Sequence, residues 1–441
     1  MAHSFWRILT SIALAGMVAE SLVASPRAPN QAAPAAQQTD LQAQLAGADE
    51  VLGEMSRITG LPIKAPLKKK ILGRPAIEKY LTENFHAEYT PEQLHAQEAT
   101  LRAFGLVSRD FNLEKFLIAF YTEQAAGFYD PRTKTMNIAD WVPPDMQAMV
   151  LAHELTHALQ DQNFDLDKFL HANPDNDDET SARQAITEGH AMAAMMQHIL
   201  GPVELTSLPS LEPLMASVVD QQLNEYPAFS NAPFFFRLQA LFPYLQGMSF
   251  MQSGLAHGGW KTLNSFFTDP PTTTKELFEP EIYFNHKSLP QVSLPKPAPL
   301  SGVPGLRLLA QNTMGELGYY ALLGQLISED EAKKVALGWL ADRYLLYEYS
   351  GKTDAAENFV LVARTKWSDA EKAHSFFRDY QTILQKKYPG LAPDARSGDD
   401  LFVGNVGANR VIVLHKGDEV LWAENISAAQ TDAMLNYLKS L

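Results

Sequence analysis

Met146-Gln147-Ala148-Met149-Val150-Leu151-Ala152-His153-Glu154-Leu155-Thr156-His157-Ala158-Leu159-Gln160-Asp161-Gln162 is the stretch on which the fold turns. Its apolar residues Met149, Val150, Ala152, Leu155, Ala158 and Leu159 recur mostly at spacings of three and four, which predicts an amphipathic helix over 146–162. Asp140–Asp145, with Pro143-Pro144, supplies a helix start. Residues four apart stand one turn above another on a helix, so His153 and His157 can reach one ion from the same face. Glu154 lies to one side of them, close enough to act on a water at that ion without being its ligand. This spacing points to metal-assisted hydrolysis.

A catalytic zinc needs a third protein ligand and an open position. The chain has no cysteine, so that ligand is His, Asp or Glu. Glu188, in Thr187-Glu188-Gly189-His190-Ala191, stands thirty-one residues beyond His157 on a second predicted helix, 180–200, that runs through Ala185, Ile186, Ala191, Met192, Met195, Met196 and Ile199. That separation lets the chain turn and bring the second helix beside the first, and Gly189 and Ala191 permit a close approach. His190 is the rival ligand, and the plain alternative for Glu188 is a surface acid. The expected site is therefore Zn2+ on His153, His157 and Glu188, with Glu154 as general base. A further donor to a developing oxyanion is expected in the aromatic-rich region 209–285, with Tyr244 the candidate and a core aromatic the alternative reading.

These residues resemble the gluzincin metallopeptidases, in which two histidines of this motif and a glutamate from a later helix hold zinc. Locally, His153-Glu154-Leu155-Thr156-His157-Ala158 is similar to thermolysin-like enzymes. Those enzymes place an aspartate four residues after the ligand glutamate to orient a ligand histidine, where this chain has Met192. A wider resemblance is to poorly characterised bacterial secreted proteins. It rests on the hairpin-like Gly127–Ile138, on Ala185–Gly189, on Phe242-Pro243-Tyr244 and Pro270-Pro271-Thr272-Thr273-Thr274, and on Gly338-Trp339 with Asp342-Arg343-Tyr344. In that group a histidine precedes the proline aligned with Pro280, where this chain has Glu279. The resemblance implies an α+β protein: a mainly helical zincin-like metallopeptidase domain with a small hairpin or sheet, then a smaller α+β module.

Working outward, Gly127–Ile138 reads as a hairpin around Asp130-Pro131. The acids Asp175–Glu179 lack the glycine and frame of a calcium loop and suit a helix N-terminus instead. The stretch 41–121 reads as mostly helical, and Lys68-Lys69-Lys70 as a solvated loop or helix end. Lys287–Pro304 is proline-dense. Beyond it, 312–342 reads as helices, 344–367 as strand-containing and 368–386 as helix. A hairpin 411–422 and a last helix follow, with His374 and His415 as isolated histidines. The expected division is a signal peptide at 1–25, an Ala/Pro/Gln-rich spacer at 26–40, the catalytic domain at 41–290, a linker at 291–304 and an accessory module at 305–441.

The N-terminal 25 residues carry Arg7, an apolar run from Ile8 to Ala19 and small residues after it. This is the shape of a secretory signal, too short to span a bilayer. Export to the periplasm or the exterior is the expectation, with no stable membrane span. Net charge is −15, and with no broad cationic face nucleic acid is excluded as the expected partner. A peptide or protein substrate fits best. The rival readings are a catalytically impaired peptidase-like binding protein of the cell envelope, favoured by Glu279 and Met192, and hydrolysis of a non-peptide amide or ester.

Overall fold

The computed structural model describes residues 35–213, 215–217, 226–350 and 358–441; the signal-like segment 1–25 and the first part of the spacer, 26–34, lie outside them. The principal elements are α1 (Ala35–Thr59), β1 (Lys68–Leu72), α2 (Arg74–Glu88), α3 (Pro91–Phe104), α4 (Leu113–Gln124), β2 (Gly127–Asp130), β3 (Thr135–Ala139), α5 (Pro144–Phe164), α6 (Asp177–Leu200), α7 (Phe234–Ser265) and α8 (Thr274–Phe278). They continue with β4 (Leu306–Asn312), α9 (Gly315–Leu326), β5 (Trp339–Tyr349), β6 (Phe359–Trp367), α10 (Ala370–Lys387), β7 (Ala392–Pro393), β8 (Leu401–Val406), β9 (Asn409–Lys416), β10 (Glu419–Ser427) and α11 (Thr431–Ser440). The architecture is α+β, mainly helical at first and rich in sheet at the end. Among the described residues no helix is long and apolar enough to cross a membrane.

The hairpin forms as its turn chemistry requires, β2 pairing antiparallel with β3. It belongs to a three-stranded sheet of order β1-β3-β2. The third strand corrects the sequence reading: Lys68-Lys69-Lys70 is neither loop nor helix end but strand β1, parallel to β3. Lysines suit an edge strand, where their charge deters pairing with another chain, and Lys69 is paired with Asp49 at 2.6 Å. Strand β2 is the opposite edge and lies against α5.

The C-terminal sheet runs β4-β5-β6-β10-β9-β8-β7, with every neighbouring pair antiparallel. Side chains alternate across a strand, and the alternation sorts them into two cores. Leu361, Ala363, Val413 and Trp422 face the core that continues into the helical half, through Leu155, Ile186 and Phe250. Val360, Val362, Ile412 and Leu421 face a second core covered by Met434, Leu435 and Leu438 of α11. Leu294 and Leu300 of the proline-dense segment are buried in that second core, and Tyr437 donates to the Pro295 carbonyl. The segment is therefore strapped across the sheet. A second correction falls at 339–342, which opens β5 and is not helical; Trp339 and Ala341 pair with β6 and are buried between layers.

Helix α6 begins at Asp177, three residues ahead of the predicted start, because the acids form its first turn rather than precede it. Asn176 caps it by accepting from the Glu179 amide, and Asp177, Asp178 and Glu179 occupy the first turn. Asp178 also reaches across to the C-terminal half, accepting from the amide and hydroxyl of Thr274. Beside it, Lys275 donates to Glu279, Glu316 and the Leu337 carbonyl. Burial raises Glu316 from 4.5 to about 8, against the pull of Lys275. A carboxyl neutral in the native state and ionised in the unfolded chain takes up a proton on folding, so the stability it confers falls as pH rises through that window. Glu316→Gln is permanently neutral. Its melting temperature minus that of wild type is expected to rise between pH 5 and pH 8; a difference constant with pH, in thermal melts across that range, would show that Glu316 is ionised in the fold.

A candidate metal centre

Helix α5 runs two residues beyond each end of the predicted span, starting at Pro144, where a proline's missing amide costs nothing. It ends at Phe164 with Asp165 in the left-handed conformation. Helix α6 returns beside it, and α7 packs across α6. That crossing is set by two glycines. A Cβ on Gly189 would lie 2.5 Å from the Gly247 backbone, and one on Gly247 2.4 Å from the Ala185 carbonyl oxygen. The chains thus meet backbone to backbone one residue from Glu188.

His153, His157 and Glu188 are brought together, all buried. His153 Nε2 is 3.1 Å from Glu188 Oε2 and 3.1 Å from His157 Nε2, and His157 Nε2 is 3.4 Å from the same carboxylate oxygen. Three donors around a tetrahedral zinc, each bonded at about 2.0–2.1 Å, are separated by about 3.3 Å. The spacing fits one ion. The imidazole and carboxylate donors suit zinc among the common divalent ions. Several buried polar atoms here have no hydrogen-bond partner among the described residues: His153 Nδ1, Glu188 Oε1 and both oxygens of Glu154. Unpaired buried polar atoms are costly, and a cation beside them offsets that cost for the carboxylates.

The electrostatics agree. Burial draws Glu188 upward, but the charge of His157 and hydrogen bonds from both imidazoles outweigh it and hold the carboxyl well below its ordinary range. Burial lowers His153, with repulsion from His157 in the same direction. Glu154 is raised to about 8, chiefly by burial and further by Glu188, against the pull of His157 and of the Tyr129 backbone. It lies where α5 meets β2. A Cβ on Gly127 would come within 2.8 Å of Val150 and 3.4 Å of Glu154 Cγ, so glycine at the head of β2 leaves room for the glutamate.

His190, the rival ligand, is turned away from the donor cluster. Its Nδ1 lies 3.1 Å from Gln160 Nε2 and its Nε2 3.0 Å from Asn264 Oδ1. Tyr244 is buried on α7, with its ring centroid 6.1 Å from that of His153. Met192 is fully buried in apolar packing, so no carboxylate orients a ligand from there. Glu279 is half-exposed and paired with Lys275. His374 and His415, read as isolated, stand with rings 5.1 Å apart, and Asp400 holds His415 Nδ1. Sequence reasoning missed Gln160 and Asn264. Gln160 is three residues past His157, on the same helix face, and that spacing was the available signal.

Two family profiles match the chain. The IrrE N-terminal-like domain, a peptidase family, matches residues 109–200, and a domain of unknown function matches residues 306–435. The first match spans α4 to α6 and so includes both helices that carry the donor residues; it points to a domain of the zinc-peptidase type. No curated protein and no solved structure matches.

The glycine crossing yields a test. Gly189→Ala is expected to destabilise the protein by about 1–3 kcal/mol through overpacking and to weaken zinc binding, because Glu188 moves with its helix. Gly53→Ala, at an exposed position of α1 with nothing within 4 Å, is expected to stabilise by about 0.5–1 kcal/mol. Denaturant melts of both variants check the contrast.

Proposed function

We propose that this protein is an exported zinc-dependent peptidase, with His153, His157 and Glu188 as zinc ligands and Glu154 as general base. The observation that carries the reading is the convergence of three buried donor atoms, 3.1–3.4 Å apart, beside an unpartnered glutamate. Zinc held there supplies polarisation of the scissile carbonyl and acidification of a water. Glu154 takes the proton of the attacking water and passes it to the departing amine. Burial raises its affinity for protons, and a base poised near the working pH is the efficient one. Tyr244, flanking His153, is proposed to donate to the oxyanion. A peptide extended along the β2 edge would present its carbonyls toward Glu154 by main-chain pairing. The signal-like residues 1–25 support export. The matched family also includes regulators, which, with Glu279 and Met192, supports the binding-protein reading.

Elemental analysis of the purified mature protein is expected to give one zinc per chain, lost in His153→Ala and Glu188→Ala. Glu154→Gln should keep the zinc and lose at least about 10²-fold in the rate of peptide hydrolysis. Tyr244→Phe should lower kcat while KM and zinc content hold. A wild type that stays metal-free in excess zinc overturns the proposal, and a Glu154→Gln variant that keeps zinc and full rate removes the assigned base.

A further inference from the structure

The donor atoms around the zinc ligands are linked to a chain of hydrogen bonds that runs outward from His157 and ends on a backbone carbonyl. Followed inward from that carbonyl, it leaves no choice of direction. The Thr59 carbonyl at the end of α1 can only accept, so Asn264 presents Nδ2 to it, at 2.8 Å. Asn264 Oδ1 then faces His190 Nε2 at 3.0 Å and must receive its proton. A neutral His190 with its proton on Nε2 offers a lone pair at Nδ1, which accepts from Gln160 Nε2 at 3.1 Å. The orientation of Gln160 is fixed a second time, since the same Nε2 donates to the Thr187 carbonyl at 2.9 Å. Gln160 Oε1 is thereby turned toward His157 Nδ1, 2.8 Å away, and can only accept from it. Nδ1 of His157 therefore carries a proton, and its Nε2 faces Glu188 and His153, the side from which an ion would be held.

We infer that Gln160 is the positioning residue of the metal centre: it fixes the tautomer and ring orientation of His157 and ties that ligand to the helix that bears Glu188. The inference rests on the zinc-site reading above. Two of the three bonds of the amide serve it, one to the ligand His157 on α5 and one to Thr187, the residue before the ligand Glu188 on α6. His190 and Asn264 extend the tie to α7 and α1. The turn at Gly258-Gly259, where the backbone leaves helical geometry, divides α7 into two segments, and Asn264 lies on the second. Groups that hold the far nitrogen of a metal-bound histidine typically change metal affinity by about 10–100-fold when removed. Gln160 is fully buried, so loss of its shape has to be separated from loss of its hydrogen bonds.

Three proteins separate these effects: wild type, Gln160→Leu, which keeps most of the volume without an acceptor, and Gln160→Glu, which keeps an acceptor for His157. Zinc affinity is measured by competition with a chromophoric chelator, and the cobalt-substituted proteins are compared by visible absorption. Gln160→Leu is expected to bind zinc about 10–100-fold more weakly and to shift the cobalt bands, while Gln160→Glu recovers most of the affinity. Gln160→Leu affinity within threefold of wild type, with unshifted bands, overturns the inference. Equal weakening in both variants also overturns it, because an acceptor for His157 would then make no difference to the metal. Where Gln160→Leu does not fold, Gln160→Glu decides: recovered affinity supports the inference and loss overturns it. A wild type that binds no zinc fails the site reading itself, and is told apart because no variant is then needed.

Discussion

Two carboxylates and two imidazoles share one buried space between apolar helices, and the rest of the molecule is arranged around that constraint. Burying a charge costs several kcal/mol unless it is paired and hydrogen-bonded. Glu188 is paired with the imidazoles and held in its charged form, whereas Glu154 is buried without such a partner and is pushed upward. The asymmetry separates two acids of the same type into two roles. In the proposed reading the one gripped by histidines serves the cation, and the other takes and releases a proton. Environment alone assigns those roles, as for any pair of carboxyl groups whose surroundings drive them apart.

Holding such a group of residues in register requires helices that cannot slide. Packing of Gly189 against Gly247 prevents a change of spacing between α6 and α7 without a backbone clash. The N-terminus of α6 is anchored by Asp178 to Thr274, and Asp177 accepts no slack either, its amide donating to Asn312 at the end of β4. The C-terminal sheet therefore does more than follow the helical half. It shares the main core with it and fixes the end of the helix on which Glu188 is carried.

The site was legible because its chemistry is local. His153, Glu154 and His157 lie within five residues, so helix geometry alone brings them together, and Glu188 was reachable because a single return of the chain sets its helix alongside. The α+β class was implied by the resemblance, and helical periodicity in 146–162 and 180–200 agreed with it. What stayed hidden depends on distant partners. Lys68-Lys69-Lys70 shows no apolar alternation and becomes a strand only because β3 offers an edge sixty-odd residues later. Trp339–Asp342 has residues that suit helix or strand equally, and the pairing with β6 decides. Asn264 reaches His190 across seventy-four residues, a separation with no counterpart in any short motif. The sequence likewise shows His374 and His415 far apart, since only the antiparallel sheet and α10 make them neighbours.

The departure at Met192 takes on a different meaning beside this network. A carboxylate there would have added a third buried acid to a space that already strains to hold Glu154 and Glu188. A buried charge without a full set of partners is more costly than an apolar side chain of similar volume. The chain instead places methionine in the core and leaves orientation of a ligand to amides and a neutral imidazole, each carrying no net charge and each with its donors matched to acceptors. Such a network constrains geometry without adding to the electrostatic load. The anchored histidine is the second of the motif: His153 Nδ1 has no partner among the described residues, whereas His157 Nδ1 is held. Methionine at position 192 is thus compatible with an ordered metal centre, because the proposed orienting role falls to Gln160 on α5, where the spacing of three brings it under His157.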